Sequence, residues 1–170
     1  MTEYDEKRSF KLKPLSKDGI ETALNKAEHY RLLNQPLLAE SICRDILMVE
    51  SENQKAAIFL LLSLADQFGQ SKTPKEALEI AGNLKDPYHQ KYYGGIVHER
   101  QGMAALSSAI PGSNFDAFEW YLEAMELFEE ASAIQPANME PVMRWNTCAR
   151  VIMNFNLKQR PKDDSHPMLE

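Results

Sequence analysis

The sequence predicts an all-α protein built from antiparallel helix pairs, and three observations lead to this prediction. Apolar residues recur at the i, i+3, i+4, i+7 spacing of an α-helix along most of the chain, and no segment alternates as a strand does. Helix start signals divide the chain at short intervals. Residues of matching size also recur 34 positions apart. We therefore expect about seven helices stacked as an array of pairs.

Proline and capping residues mark where the helices begin. Pro36, Pro74 and Pro87 stand at expected first helical positions, where the missing N–H of proline has no intrahelical partner to lose. Ser51 and Gln54 have the spacing of a capping box. Together with weaker signals, these residues predict helices near 18–33, 36–50, 52–69, 74–85, 87–110, 114–135 and 139–156.

Composition narrows the choice of function. The net charge is −6 and the basic residues are scattered, so neither nucleic acid nor an anionic membrane surface is an expected partner. The amino terminus has no apolar leader segment, which predicts a cytoplasmic protein. Cys43 and Cys148 are expected to be reduced and buried. Residues 1–16 and 157–170 are expected to be flexible ends around a helical domain of residues 17–156.

A 34-residue register relates three helix pairs. In the first helix of each pair, Ala27, Leu61 and Gly95 occupy equivalent positions. The second helices share a pair of positions four residues apart. These pairs are Ala39 and Cys43, Ala77 and Ala81, and Ala124 and Phe128. Small residues at such positions let two helix backbones approach closely, and the larger residues fill the groove between neighbours.

This register resembles the tetratricopeptide repeat, whose pattern is W-x2-L-G-x2-Y…A-x3-F…P. The third unit is the closest match, and the motif positions that it fills are Gly95, Gly102, Ala124, Phe128, Ala131 and Pro136. None of the three units carries the tryptophan of the motif. The resemblance implies a right-handed superhelix of three degenerate repeats, closed by a capping helix that contains Trp145. It also implies a module that binds another protein.

The third pair departs from the family pattern. Gly102 and Ala124 are 17 residues farther apart than Asn34 and Ala39, the equivalent residues of the first pair. We expect residues 103–118 to form a helical protrusion made by two lengthened helices with a turn at Pro111–Asn114. Its apolar side chains form a second candidate binding surface, which comprises Leu106, Ile110, Phe115 and Phe118.

The resemblance also implies a concave groove lined by the first helix of each pair. The expected partner-binding residues are apolar, namely Leu24, Phe59, Leu62, Tyr92, Tyr93 and Ile96. Family members that grip a partner's terminal carboxylate use Lys, Asn and Arg in this groove. The matching positions here hold Leu24, Glu28, Phe59, His89 and Tyr93, so that clamp is absent. The alternative reading of the apolar residues is that they belong to the core between helices.

No motif in the sequence predicts catalysis or a cofactor. His98 and Glu99 are adjacent and so point about 100° apart on a helix, and no histidine has metal-binding spacing. An acidic row is expected to be a solvated face, the alternative being a docking patch for a basic partner; it consists of Glu119, Glu123, Glu126 and Glu130, with Glu129 beside them. We therefore expect an adaptor or chaperone-like module that binds a peptide or helix of another protein, without cofactor or metal. The alternatives are a structural homodimer and, behind it, a helical enzyme.

Overall fold

The structure is a computed structural model that describes residues 10–162, and within this range it contains seven α-helices and no β-strand. A short 3₁₀ turn at Lys17–Gly19 precedes the first helix. The helices are α1 Ile20–Leu32, α2 Pro36–Val49, α3 Gln54–Ala65, α4 Pro74–Gly82, α5 Pro87–Leu106, α6 Ser113–Ile134 and α7 Glu140–Asn154. The prediction of an all-α fold with about seven helices is confirmed.

The proline signals predicted three helix starts correctly. Pro36, Pro74 and Pro87 are the first residues of α2, α4 and α5. The predicted capping box at Ser51 is wrong, because α3 begins at Gln54 and its cap is Asn53. The Asn53 side chain accepts a hydrogen bond of 2.9 Å from the backbone N–H of Ala56, which satisfies a donor that the helix itself leaves unpaired.

Two helices end earlier than the apolar periodicity predicted. Helix α3 ends at Ala65 rather than at residue 69, and α5 ends at Leu106 rather than at residue 110. The chain then turns at glycines in the left-handed region, with φ of 80° at Gly69 and 86° at Gly112. An L-residue with a side chain adopts this conformation only with strain, so these glycines suit the two turns.

Each helix packs against the next one in the chain, α1 also contacts α3, and α3 also contacts α5. The turns that join α1 to α2, α3 to α4 and α5 to α6 all lie at the same end of the molecule. The larger apolar core lies among α1 to α5 and contains residues such as Leu61, Leu64 and Val97. The second lies among α5, α6 and α7 and contains Tyr121 and Phe128.

The pair formed by α5 and α6 is the longest, as the insertion predicted. These helices have 20 and 22 residues, whereas α1 and α2 have 13 and 14. Residues 107–112 form the connecting turn, so the predicted protrusion is helical only on either side of it. Gly95 and Gly102 of α5 face the rings of Phe128 and Tyr121, which places the two helix backbones close together.

The packed domain extends beyond its predicted boundary at residue 156. Leu157 is buried in the second core, although it was expected to begin a flexible tail. An apolar side chain that reaches a neighbouring core gains enough burial to hold its segment in place. Residues 1–9 and 163–170 of the two predicted ends lie outside the described residues.

Both cysteines are buried and unpaired, as the sequence predicted. Cys43 lies on α2 and Cys148 on α7. Burial raises the pKa of each thiol to about 12, because a thiolate is poorly solvated inside the core. The two residues therefore act as small apolar side chains in their helix contacts.

Candidate functional site

The residues of the predicted groove do not form an exposed apolar surface. Phe59, Tyr92 and Ile96 are buried, and Tyr92 is only 8% exposed. The expectation that these three side chains face solvent is therefore wrong. Leu62 and Tyr93 are partly buried and pack against both main cores. Whether any of these residues binds a partner stays a prediction.

The physical reason is that α5 packs its aromatic side chains against neighbouring helices. The Tyr92 ring is stacked on Tyr88 with ring centroids 5.5 Å apart, and it also contacts Phe128 of α6 with centroids 6.0 Å apart. Tyr93 meets Tyr92 edge-on at 5.2 Å. These contacts within α5 and between α5 and α6 bury aromatic residues that were expected to line a groove. Leu24 is also partly buried, against the core beneath α1.

An open cleft lies instead at the end of the molecule where the helix pairs turn. We call it the turn-side cleft, and its volume is about 910 Å³. Its walls come from the last turns of α1, α3 and α5, from the loop 66–70, and from the first turns of α6. The larger side chains of the lining include Arg31, Asp66, Arg100, Met103, Asp116 and Trp120.

A group of three charged residues forms one wall of the turn-side cleft. The Arg31 Nε and Nη2 groups donate to Asp66 Oδ2 at 3.2 and 3.1 Å. Arg100 Nη2 lies 3.8 Å from the other oxygen, Asp66 Oδ1. Two guanidinium groups thus share one carboxylate, so the group carries a net positive charge. Such a site favours an anionic ligand group.

Exposed leucines extend the same edge of the molecule. A second groove of about 450 Å³ lies beside the turn-side cleft, and Asn34 and Gln70 line both. Leu37 and Leu38 form part of its wall and are 66% and 46% exposed. Leu32 and Leu33, at the end of α1, are also exposed. We call this second groove the leucine groove.

The predicted second surface divides between core and cleft. Leu106 and Phe118 are partly buried, and each packs against the second core. Ile110 is 71% exposed and lines the turn-side cleft. Phe115 lies beneath the guanidinium of Arg160, whose carbon is 5.2 Å from the ring centroid.

The segment after α7 braces the tip of the α5–α6 hairpin. Arg160 Nη2 donates to Asp116 Oδ1 at 2.7 Å. Asp116 lies in the first turn of α6, where a negative charge also interacts favourably with the helix dipole. Since Asp116 lines the cleft, this pairing offsets a negative charge that would otherwise face a bound ligand.

A buried carboxylate holds the loop beneath the cleft. Glu40 on α2 accepts hydrogen bonds from Lys72 at 2.9 Å and from Gln67 at 2.8 Å. Arg44 donates to the same carboxylate through two nitrogens, at 3.0 and 2.9 Å. Gln67 and Lys72 belong to the loop between α3 and α4, so Glu40 fixes the position of that loop against α2.

The five glutamates of the acidic row on α6 are all exposed, as predicted, and three of them also pair with neighbouring helices. Glu123 pairs with His98 at 3.0 Å, and Glu130 pairs with Lys91. Both partners lie on α5, so these carboxylates help to join the two long helices. Glu129 accepts a hydrogen bond of 2.9 Å from Trp145 on α7.

Helix α7 carries a separate exposed apolar row on its outer side. The row includes Met139, Val142, Met143 and Met153, and it continues to Phe155 beyond the helix. A helix expected to cap the array would present a more polar outer face. This row is the surface in the structure that best fits the alternative of a second copy of the chain.

Two general features complete the description of residues 10–162. None of the described helices combines the length and hydropathy that crossing a membrane requires. Nor do the described residues contain a cluster of three or more His, Cys, Asp or Glu side chains with the arrangement of a metal site. Comparisons of the chain with models of protein families, with curated proteins and with solved structures find no match.

Sequence reasoning did not identify the charged group of the turn-side cleft. A signal was present, because Asp66 and Arg100 are 34 residues apart, which is the spacing of the predicted register. Opposite charges at equivalent positions of adjacent repeats indicate a contact when the repeats stack in register. The leucines at 32–33 and 37–38 flank the first turn, and their exposure depends on the orientation of that turn relative to the neighbouring helices.

Proposed function

We propose that this protein is an interaction module that binds a segment of another protein in the turn-side cleft. The observation that carries the proposal is an open cleft of about 910 Å³ with exposed apolar side chains along its edge. Clusters of exposed apolar residues are costly in water and commonly mark an interaction surface. The cleft crosses the ends of three helix pairs, a length that suits a chain segment better than a compact ligand.

The proposal includes a tetratricopeptide-like arrangement of the helix pairs. The 34-residue register supports it, as do the contacts of α1 with α3 and of α3 with α5. In repeat arrays each unit contacts its neighbours and the stacked units create an extended binding surface. The buried, unpaired cysteines are in keeping with a reducing compartment such as the cytoplasm.

We propose binding rather than catalysis for the turn-side cleft. Both carboxylates that line it are paired with arginines, Asp66 with Arg31 and Asp116 with Arg160. The same pairs fix side-chain positions, which favours recognition of a partner.

Filling the cleft should block binding, and the chain offers a matched control. Met103 lines the turn-side cleft and Met153 lies on the outer side of α7, and both methionines are exposed. Met103→Trp should weaken binding of a cleft-directed peptide by about tenfold or more, as expected when a ligand is displaced from its central contacts. Met153→Trp should leave the affinity unchanged.

The peptide for this experiment is obtained by display selection of short random peptides on the full chain, and its affinity is measured by fluorescence anisotropy. Thermal unfolding of both variants checks that the fold is intact. Binding in the turn-side cleft would be contradicted if both variants lost affinity equally, or if neither variant lost affinity.

A further inference from the structure

We propose that the partner segment pairs an acidic residue with bulky apolar residues, the carboxylate lying on Arg100 and the apolar side chains in the leucine groove. This inference rests on the proposed function, because it assigns chemistry to the ligand of the turn-side cleft. It differs from a groove clamp for a chain terminus, whose positions here hold apolar, acidic, histidine and tyrosine residues.

Arg100 has hydrogen-bonding capacity that no described residue uses. Its guanidinium is 3.8 Å from Asp66, too far for a hydrogen bond, and its side chain is 36% exposed. Asp66 is already held by two N–H groups of Arg31. Among the described residues, Arg100 makes no hydrogen bond through its side chain. Its donors are therefore available to a bidentate carboxylate.

The charge at the cleft wall is opposite in sign to the net charge of the chain. The chain as a whole carries −6, so a cationic spot in a cleft is a local feature rather than a property of the surface. The other carboxylate of the lining, Asp116, is offset by Arg160 at 2.7 Å. The cleft wall therefore carries two positive charges, those of Arg31 and Arg100, and one negative charge, that of Asp66. An anionic group gains from this field, whereas a basic segment is repelled.

The leucine groove lies directly beside the turn-side cleft. Asn34 and Gln70 line both hollows, so the two adjoin and one extended segment can contact both. Leu37 and Leu38 are exposed there and offer apolar contact. Burying a Leu or Phe side chain of the ligand against them removes apolar surface from water and so stabilises the complex. The site therefore has a charged end and an apolar end, which fixes the direction of a bound segment.

The test is a display selection of short random peptides on the full chain, run in parallel on Arg100→Gln and Arg150→Gln. Arg150 is an exposed arginine of α7 and serves as the control. We expect peptides selected on the parent protein to be enriched in Asp or Glu next to Leu, Ile or Phe. Arg150→Gln should give the same enrichment. Arg100→Gln should lose the acidic preference but keep the apolar one.

A double-mutant cycle then locates the carboxylate. Replacing the acidic residue of the best peptide by its amide should weaken binding to the parent protein about tenfold, as expected for a hydrogen bond to a charged group. The same replacement should have little effect on binding to Arg100→Gln. Added salt should weaken the acidic peptide more than the amide peptide, because exposed charge pairs are screened. Arg100→Lys, which keeps the charge, should retain part of the acidic preference.

The outcomes separate this inference from the proposed function. If selected peptides are blocked by Met103→Trp but show no acidic preference, the inference is wrong and the binding site stands. If peptides with basic residues are enriched, the inference is also wrong. If no peptide is blocked by Met103→Trp, the proposed function itself fails. Competition by peptides copied from the ends of this chain would show that its own segment is the ligand, which overturns a partner of this chemistry.

Discussion

Replacing Glu40 with alanine is expected to lower the free energy of unfolding by about 3 kcal/mol, as for removal of one partner from a buried ion pair. The Glu40 side chain is 7% exposed and accepts hydrogen bonds from Lys72, Gln67 and Arg44. Without it, the amide of Gln67 loses a buried acceptor and Lys72 loses its carboxylate. Arg44 keeps a second partner, Glu76, which limits the loss.

The same residue gives the stability a predictable pH dependence. Burial by itself raises the pKa of Glu40, but the hydrogen bonds from Lys72, Gln67 and Arg44 outweigh it, so the net pKa lies below its ordinary value of about 4.5. The unfolded chain therefore binds the proton more tightly than the folded protein does. The contribution of Glu40 is fully present above the unfolded-state pKa and is lost as the pH falls through the folded-state pKa.

Chemical denaturation at several pH values measures both effects. The difference in stability between the parent protein and Glu40→Gln should be constant near neutral pH and should shrink below about pH 4.5. Glu79 on the neighbouring helix α4 is exposed and provides the control. Glu79→Ala should change the stability by no more than about 0.5 kcal/mol. If Glu40→Ala were equally harmless, the buried network would not hold the loop.

Gly95→Ala is expected to destabilise the protein by about 2 kcal/mol, although alanine is normally the better helix former by about 1 kcal/mol. A Cβ atom at Gly95 would lie 2.6 Å from Cε1 of the Phe128 ring. Phe128 is fully buried, so its ring has little room to move away. The two long helices α5 and α6 would then have to separate.

A compensating change identifies the cause. In the Gly95→Ala background, Phe128→Leu should cost much less than it does alone, so the two substitutions should couple favourably in a double-mutant cycle. Gly82→Ala is the control, because no atom lies within 4 Å of where its Cβ would sit. That control should be neutral or stabilise by up to about 1 kcal/mol. Additive effects of Gly95→Ala and Phe128→Leu would contradict a steric cause.

The sequence predicted the features of this fold that depend on local interactions. Pro36, Pro74 and Pro87 marked helix starts correctly because proline fits the first turn whatever surrounds it. The 17-residue insertion predicted the long α5–α6 pair, because inserted residues that continue a helical pattern lengthen the helices they join. The error at Ser51 has a local cause too, since Asn53 stands closer to the helix and accepts the same kind of bond.

Features that depend on packing between elements could not be predicted in the same way. The helical position of Tyr92 suits either a groove or a core. Its burial results from the packing of α5 against its neighbours. The pairing of Arg31 with Asp66 joins residues 35 positions apart and depends on how α1 lies against α3. Leu157 is one apolar residue in a polar segment, and its burial follows from the path of the chain after α7.

These observations connect the stability of the fold to the candidate site. Glu40 positions the loop that contains Gln67, and the same loop supplies Gly69 and Gln70 to the turn-side cleft. Gly95 lets α5 and α6 approach closely, and their extended ends form the opposite wall. We therefore expect the cleft to be held in shape before a partner arrives, which lowers the entropy cost of binding.

The most direct test of the account is amide hydrogen exchange of the full chain with and without a peptide chosen by display selection. The account predicts that exchange slows in the loop 66–73 and in residues 100–112, which border the turn-side cleft, and that α7 is unchanged. Protection confined to α7 and Phe155 would contradict it. So would protection of α7 that grows with protein concentration alone, because the apolar row would then bind a second copy of the chain.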